Sequence, residues 1–366
     1  MRKTRAAAVW PVLAIAAASL CPFAAAPGVV LHNDASPAPA GQRPDDAVVG
    51  LWRNTASCVA IGPDLVITTR HQGGSRGSPV TIGGQDCIVS QIYAHSSADL
   101  RIARLTVDGE PAELEYVDIY SDDDERYKVF AVGGYGVGRG DALQTEEVTY
   151  GYLWDWEGGQ ELRWGKNRVD TTSSSSGEFF SYTLKADFDG IGEGGAVAYE
   201  AGMASFDSGG GWFILDGGAW KLAGVNRAVE HFGETWFRGD VDPAVPDPDT
   251  QDAVRISKYA DWIDVVRAGP PCGDANADNC VDYIDLGILA MYYCQTSGVS
   301  WSEGDFNEDG VVDYLDLGLM SCNYDLLGGA GDGGTGDLAT VPEPASAAIL
   351  VLGGAAILRR RRGRTR

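Results

Sequence analysis

The chain has 366 residues, 44% hydrophobic and 22% charged, which excludes wholesale disorder and leaves room for two or three domains. Its 28 Lys and Arg against 52 Asp and Glu give a net charge of −24; nine of those basic residues lie in 1–26 and 345–366, which hold no acid, so the body between carries −33. A surface that acidic repels phosphate backbones and excludes nucleic acid as a partner, while its carboxylates suit divalent cations.

Residues 1–26 run from Arg2, Lys3 and Arg5 through an apolar stretch to Ala24-Ala25-Ala26, the layout of a secretory signal peptide. Two cleavage points stay open. One follows Ala26, where Pro27 is a poor neighbour, and the other follows Ala40, which also ends an A-x-A pattern. Cys21 follows Leu20, where a lipoprotein would need a small residue. Export fits the other six cysteines, an even number compatible with disulfides. Residues 27–44 read as a Pro- and Ala-rich leader.

From 45 to 268 the chain reads as all-β. Short β-rich runs at 65–69, 80–82, 129–132, 148–153, 212–215 and 220–225 are separated by Gly, Asp and Ser clusters. A helix is expected over 254–265, where Ile256, Tyr259, Trp262 and Ile263 make an apolar stripe at helical spacing. Gly269-Pro270-Pro271 then reads as a linker. Strand spacing alone fits a sandwich as well as a barrel.

Only four histidines are present, and His32 lies in the leader, so a catalytic base must be His71, His95 or His231. His71 ends the run CVAIGPDLVITTRH, Asp99 opens ADLRIARL, and Ser208 sits in SFDSGGGWFI. Serine attack on a carbonyl needs a base to take the hydroxyl proton, an acid to orient that base, and N–H groups to hold the oxyanion. Taken singly, each segment also reads as an ordinary turn or strand end.

In this order and context the three segments resemble the trypsin-like serine peptidases. The resemblance spans most of 48–266, with RISKYADWI at 255–263 similar to that family's closing helix. It implies two six-stranded β-barrels with the site between them, and a protein or peptide substrate. It also implies Ser208 as nucleophile, His71 as general base, Asp99 as the orienting acid, and the N–H groups of Phe206 and Ser208 as the oxyanion hole. Departures are plain. Phe206 stands where the family usually has Gly, Thr69 and Arg70 precede the histidine, and Cys58 and Cys87 bracket it loosely, though close enough in sequence to pair. No tryptic activation motif is present, although the resemblance has Asp207 meeting a new amino terminus. Gly202, six residues before Ser208, falls at the family's pocket floor; with no acid there, Lys/Arg preference is not expected, unless a shifted alignment brings in Glu200.

A repeat follows. GDANADNCVDYIDLGIL at 273–289 and GDFNEDGVVDYLDLGLM at 304–320 match at 10 of 17 positions, offset by 31. The first spaces oxygens at Asp274, Asn276, Asp278, Asp282 and Asp285, with the Cys280 carbonyl between; the second uses Asp305, Asn307, Asp309, Asp313 and Asp316, with Val311. This is EF-hand loop spacing, suited to two Ca²⁺ ions, and each loop precedes a helical stretch. The bland reading is a pair of acidic turns. Ending in Asp and duplicated, the unit 269–327 resembles a type I dockerin, an all-α calcium module, which implies a cohesin partner or a calcium-stiffened spacer. Cys272, Cys280, Cys294 and Cys322 are expected to form two disulfides, their pairing open.

A Gly-rich linker at 328–340 leads to 341–366: VPEP, a 14-residue apolar run and an arginine cluster. As a helix that run spans roughly 21 Å, short of a ~30 Å hydrocarbon core. The order resembles a PEP-CTERM sorting signal, implying an exosortase-type partner and delivery to the cell surface or beyond. The expectation is therefore a mainly β, exported serine endopeptidase with a calcium module. Its rival is an inactive trypsin-like domain used for binding, favoured by Phe206. A polysaccharide-degrading role rests only on the company dockerins keep.

Overall fold

The computed structural model describes residues 28–324 apart from 33–36, 146–147, 159, 191, 193–194 and 239–247. The signal peptide, Cys21, the Gly-rich linker and the sorting segment lie outside the described residues. The described residues form one compact unit, in which strands dominate and helices are few. Among the described residues no helix is long and apolar enough to cross a membrane.

Six strands build a first barrel: β1 (Val49–Trp52), β2 (Ala56–Ala60), β3 (Leu65–Thr68), β4 (Pro79–Ile82), β5 (Gln85–Ala94) and β6 (Arg101–Val107). They pair antiparallel in the order β3-β2-β1-β4-β5-β6, and pairing of β3 with β6 closes the ring. Closure leaves no open edge. β3 is buried along its whole length, as its β-branched run requires, and Trp52, Val66, Val80 and Leu105 fill the interior.

A second barrel uses β7 (Val129–Gly134), β8 (Arg163–Arg168), β9 (Thr171–Ser176), β10 (Phe180–Asp187), β11 (Gly211–Asp216), β12 (Ala219–Val229) and β13 (Thr250–Arg255). The order is β8-β7-β11-β12-β13-β10-β9. β8 and β9 are one chain bent at Val169 and Asp170, whose N–H groups bond Lys128 and Lys185 on opposite sides. The two ends of the sheet are therefore halves of one bent strand, and the ring closes through it. Of the two architectures the sequence allowed, the barrel is the one found.

A separate three-stranded sheet pairs Gly138–Thr145, Val148–Asp155 and Glu234–Trp236. The expected helix over 254–265 starts later. Val254 and Arg255 finish β13, a 3-10 turn covers Ile256–Tyr259, and α1 runs Ala260–Ala268. Pairing of Val254 with both Thr183 and Val225 overrides the helical stripe at that end. The leader also differs from expectation: Val29, Val30 and Leu31 are fully buried, and Val30–Leu31 pairs with Ala201–Gly202.

In the repeat, each acidic loop leads into one helix, α2 (Tyr283–Tyr292) and α3 (Tyr314–Ser321). Trp301, between the repeats, donates its backbone N–H to Gln91 of β5 at 3.0 Å and its ring N–H to the Asp274 carbonyl at 2.6 Å. The segment after Gly269 thus packs on the first barrel. The expected disulfides are absent: all six described cysteines are free thiols. Cys58 and Cys87 share the first barrel's core, and burial pushes both thiols up.

Candidate active site

His71 and Asp99 come together through barrel closure. β3 and β6 pair Thr68 with Arg101, so the residues just beyond these strand ends meet at one rim. His71 Nδ1 lies 2.6 Å from Asp99 Oδ2, and the His71 backbone N–H donates to Oδ1 at 2.9 Å. Burial alone would raise the Asp99 pKa; the hydrogen bonds from His71, with Arg227 nearby, outweigh it and hold the carboxyl below its usual range. The rim faces the second barrel. Asp99 N–H donates to Ser181 Oγ of β10 at 2.9 Å, and Arg227 Nε of β12 stands 3.8 Å from Asp99 Oδ2.

The other histidines are accounted for. His95 packs edge-on between Tyr259 and Trp262, and its Nδ1 accepts the Ala98 N–H at 2.9 Å. Burial, with Arg70 nearby, pushes its pKa down to about 4. His231 bonds Asp249 and stacks on Trp236 at 4.4 Å.

The Ser208 loop leaves the second barrel and presses on the first. Ser57 of β2 donates its N–H to the Ser208 carbonyl at 2.9 Å and its hydroxyl to the Phe206 carbonyl at 3.2 Å. Thr68 Oγ1, at the end of β3, donates to the Ser57 carbonyl at 2.8 Å. A Cβ on Gly209 would fall 2.0 Å from the Ser57 carbonyl oxygen and 2.2 Å from Thr68 Oγ1, so only glycine fits there. Phe206 holds a left-handed φ of 74°, which costs a non-glycine residue about 1–3 kcal/mol. Among the described residues neither the Phe206 nor the Ser208 N–H has a hydrogen-bond partner, leaving both free to donate.

The surroundings of three residues, His71, Asp207 and Gly202, were invisible in sequence. Gln72 Nε2 lies 3.0 Å from His71 Nε2, the ring nitrogen a serine hydroxyl would need, and no His71–Ser208 hydrogen bond is formed. Asp207 is fully buried and accepts N–H groups from Gly136 and Ala204, each at 2.8 Å, and from Val29; burial pushes its pKa up to about 7. The recess at Gly202 is lined by Phe188, Met203, Glu234, Thr235 and Asp249, so two acids from distant parts of the sequence stand at its wall, Asp249 already bonded to His231 and to the Trp236 N–H. Its cavity is about 10 Å³, space for roughly one water.

The two acidic loops are built alike. Asp274 accepts N–H groups of Asp278 at 3.1 Å and Asn279 at 2.8 Å; Asp305 accepts those of Asp309 at 3.1 Å and Gly310 at 2.9 Å. Asn276 and Asn307 accept from Asp278 and Asp309, which accept from Cys280 and Val311. Asp282 and Asp313 cap α2 and α3, forming reciprocal boxes with Asp285 and Asp316. The acids alone make no metal cluster: among the described residues no three His, Cys, Asp or Glu side chains are arranged to hold an ion. A cation would need the Asn oxygens and the Cys280 and Val311 carbonyls as well, and these carbonyls accept no protein hydrogen bond among the described residues. Asp274, Asp285, Asp305 and Asp316 are fully buried, and burial with carboxylate neighbours drives the Asp274 pKa up to about 7. Four buried acids crowded against carboxylate neighbours, beside carbonyls that no protein group bonds, fit a hard cation. Arg76, in the loop after His71, donates to the Glu308 carbonyl and stands 3.7 Å from Asp305.

No protein-family model matches the chain, and no curated protein is similar to it. Among solved structures, neuropsin, a serine protease expressed in the limbic system of mouse brain, is similar over 61% of this chain and 95% of its own, with 15% identity and a TM-score of 0.41.

Proposed function

We propose that this chain is an exported, surface-directed serine endopeptidase of trypsin-like type. The observation carrying the proposal is the doubly bonded His71–Asp99 pair at the barrel rim, with the Ser208 loop tied through Ser57 to the strand that delivers His71. Ser208 Oγ attacks the scissile carbonyl and its proton passes to His71 Nε2, while Asp99 keeps Nδ1–H oriented and balances the imidazolium. The carbonyl oxygen becomes an oxyanion that the Phe206 and Ser208 N–H groups receive. His71 then returns the proton to the leaving amine, and water repeats the cycle on the acyl-enzyme.

Asp207 supports a further step, maturation to an amino terminus at Val29. Val29, β-branched, carries φ 61°, and its N–H already meets the Asp207 carboxyl. Scission of the Gly28–Val29 bond removes that φ constraint and supplies an ammonium to a buried carboxylate. The acidic loops are proposed to hold two Ca²⁺ ions through Asp274, Asn276, Asp278, Cys280, Asp282 and Asp285, and through Asp305, Asn307, Asp309, Val311, Asp313 and Asp316. Calcium held by these residues would offset the charge of the buried acids, and the loop oxygens would be drawn together around it. Docking to a cohesin and sorting by an exosortase-type enzyme remain part of the proposal on sequence resemblance.

One observation favours the second reading, an inactive binding domain: Gln72 holds His71 Nε2. Fluorophosphonate labelling of the full chain with Ca²⁺ separates the two. Labelling lost in Ser208→Ala supports the peptidase; a folded, unlabelled chain supports the binding domain.

A further inference from the structure

Four aromatic rings from three segments gather beside the Ser208 loop. Trp154 and Trp156 come from the end of Val148–Asp155, Phe232 from the turn after β12, and Phe206 from the loop itself. Trp156 stands edge-on to Phe206 at 6.3 Å and lies 5.3 Å from Phe232; Trp154 is 5.7 Å from Trp156 and 5.5 Å from Phe232. Trp154 is buried, yet Trp156 is 47% and Phe232 78% exposed. The contacts are edge-on or tilted, the geometry aromatic pairs prefer. Trp156 and Phe232 therefore form a contiguous exposed apolar patch, a feature that marks contact surfaces.

Position decides what the cluster contacts. Phe206 carries one of the two unbonded N–H groups to which the proposed mechanism assigns the oxyanion, so on that reading the platform begins beside the reacting carbonyl. The recess at Gly202, about 10 Å³, admits no large side chain. Among the described residues, the rings offer a large substrate side chain near the scissile bond an apolar surface that the recess does not. We propose that Trp156, Phe232 and Phe206 form a specificity platform for an aromatic or branched aliphatic side chain flanking the scissile bond. This rests on the serine peptidase reading of Ser208.

Packing on Trp156 also accounts for Phe206 itself. Glycine would occupy φ 74° without strain, whereas Phe extends the ring surface to the reacting centre.

The test uses the full chain with Ser208→Ala and four labelled peptides, identical except for Phe, Leu, Lys or Gly at the central position, titrated by fluorescence anisotropy. The Phe and Leu peptides are expected to bind at least about tenfold tighter than the Gly and Lys peptides, a difference of about 1.4 kcal/mol. Adding Phe232→Ala or Trp156→Ala should bring all four within about threefold; Phe232 is so exposed that its loss does not threaten folding. Equal binding of the four, tightest binding of Lys, or a preference surviving both substitutions overturns the platform. Fluorophosphonate labelling of the chain with Ser208 intact is read separately. Its absence overturns the peptidase reading, and with it the platform's role in cleavage, whatever the peptides do.

Discussion

The Gln72 amide lies 3.0 Å from His71 Nε2, on the side of the imidazole opposite Asp99. Proton transfer from Ser208 requires that contact to break. A hydrogen bond of this kind is worth about 0.5–1.5 kcal/mol net, so Gln72→Ala should raise the fluorophosphonate labelling rate about two- to tenfold. An unchanged rate would show that Gln72 does not restrain His71.

Asp99→Asn keeps the size of the side chain but loses the charge that holds the imidazole tautomer. Turnover of a peptide substrate should fall about 10³- to 10⁴-fold with the melting temperature little changed. Steady-state kinetics beside thermal denaturation checks both halves.

A chain beginning at Val29 should label and turn over at least about tenfold faster than one extended through Gly28, if a buried ion pair with Asp207 organises the Ser208 loop. In Asp207→Asn the two forms should behave alike. Equal rates with Asp207 intact would sink the maturation step.

Glu200 is 1% exposed, and burial pushes its pKa up to about 9. An acid with a raised folded pKa keeps its proton longer in the fold than in the unfolded chain. Its contribution is fully present below the unfolded value, near 4.5, and is lost as pH rises toward 9. Thermal stability should therefore decline from pH 5 to pH 9, and Glu200→Gln should flatten that decline. An equal slope in the variant would show that other acids carry it.

Calcium should raise the melting temperature of the full chain by several degrees, and Asp285→Ala with Asp316→Ala should abolish the gain, measured by calorimetry with and without chelator. Because Trp301 joins the repeat to β5, part of that gain should appear in barrel unfolding.

The strands were readable where β-branched or aromatic runs met turn residues, as in β3 and β11. His71 and Asp99 were readable because each flanks such a run. Ser57 gave no signal: its role arises from hydrogen bonds to Ser208 and Phe206, about 150 residues distant in sequence. Gln72 and Asp249 were hidden for the same reason. Two-residue pairing at Val30–Leu31 is too short for a periodic pattern, and the neighbouring alanines and prolines mask it. The acidic repeat announced itself by spacing, but the capping boxes of Asp282 and Asp313 show that its acids also serve the helices.

The β3–β6 seam has a consequence for tolerance to change. Since His71 and Asp99 are both set by the seam's register, the turns among the 27 positions between them can change length without separating the pair, while β4 and β5 in that stretch are held by their own pairing. Insertions in the turn before Gln85, at the opposite end of β5 from the Ala94–Arg101 pairing near the rim, should be borne easily. A single-residue deletion inside β3 or β6 instead turns every following side chain to the opposite face, and the pair is lost with the core.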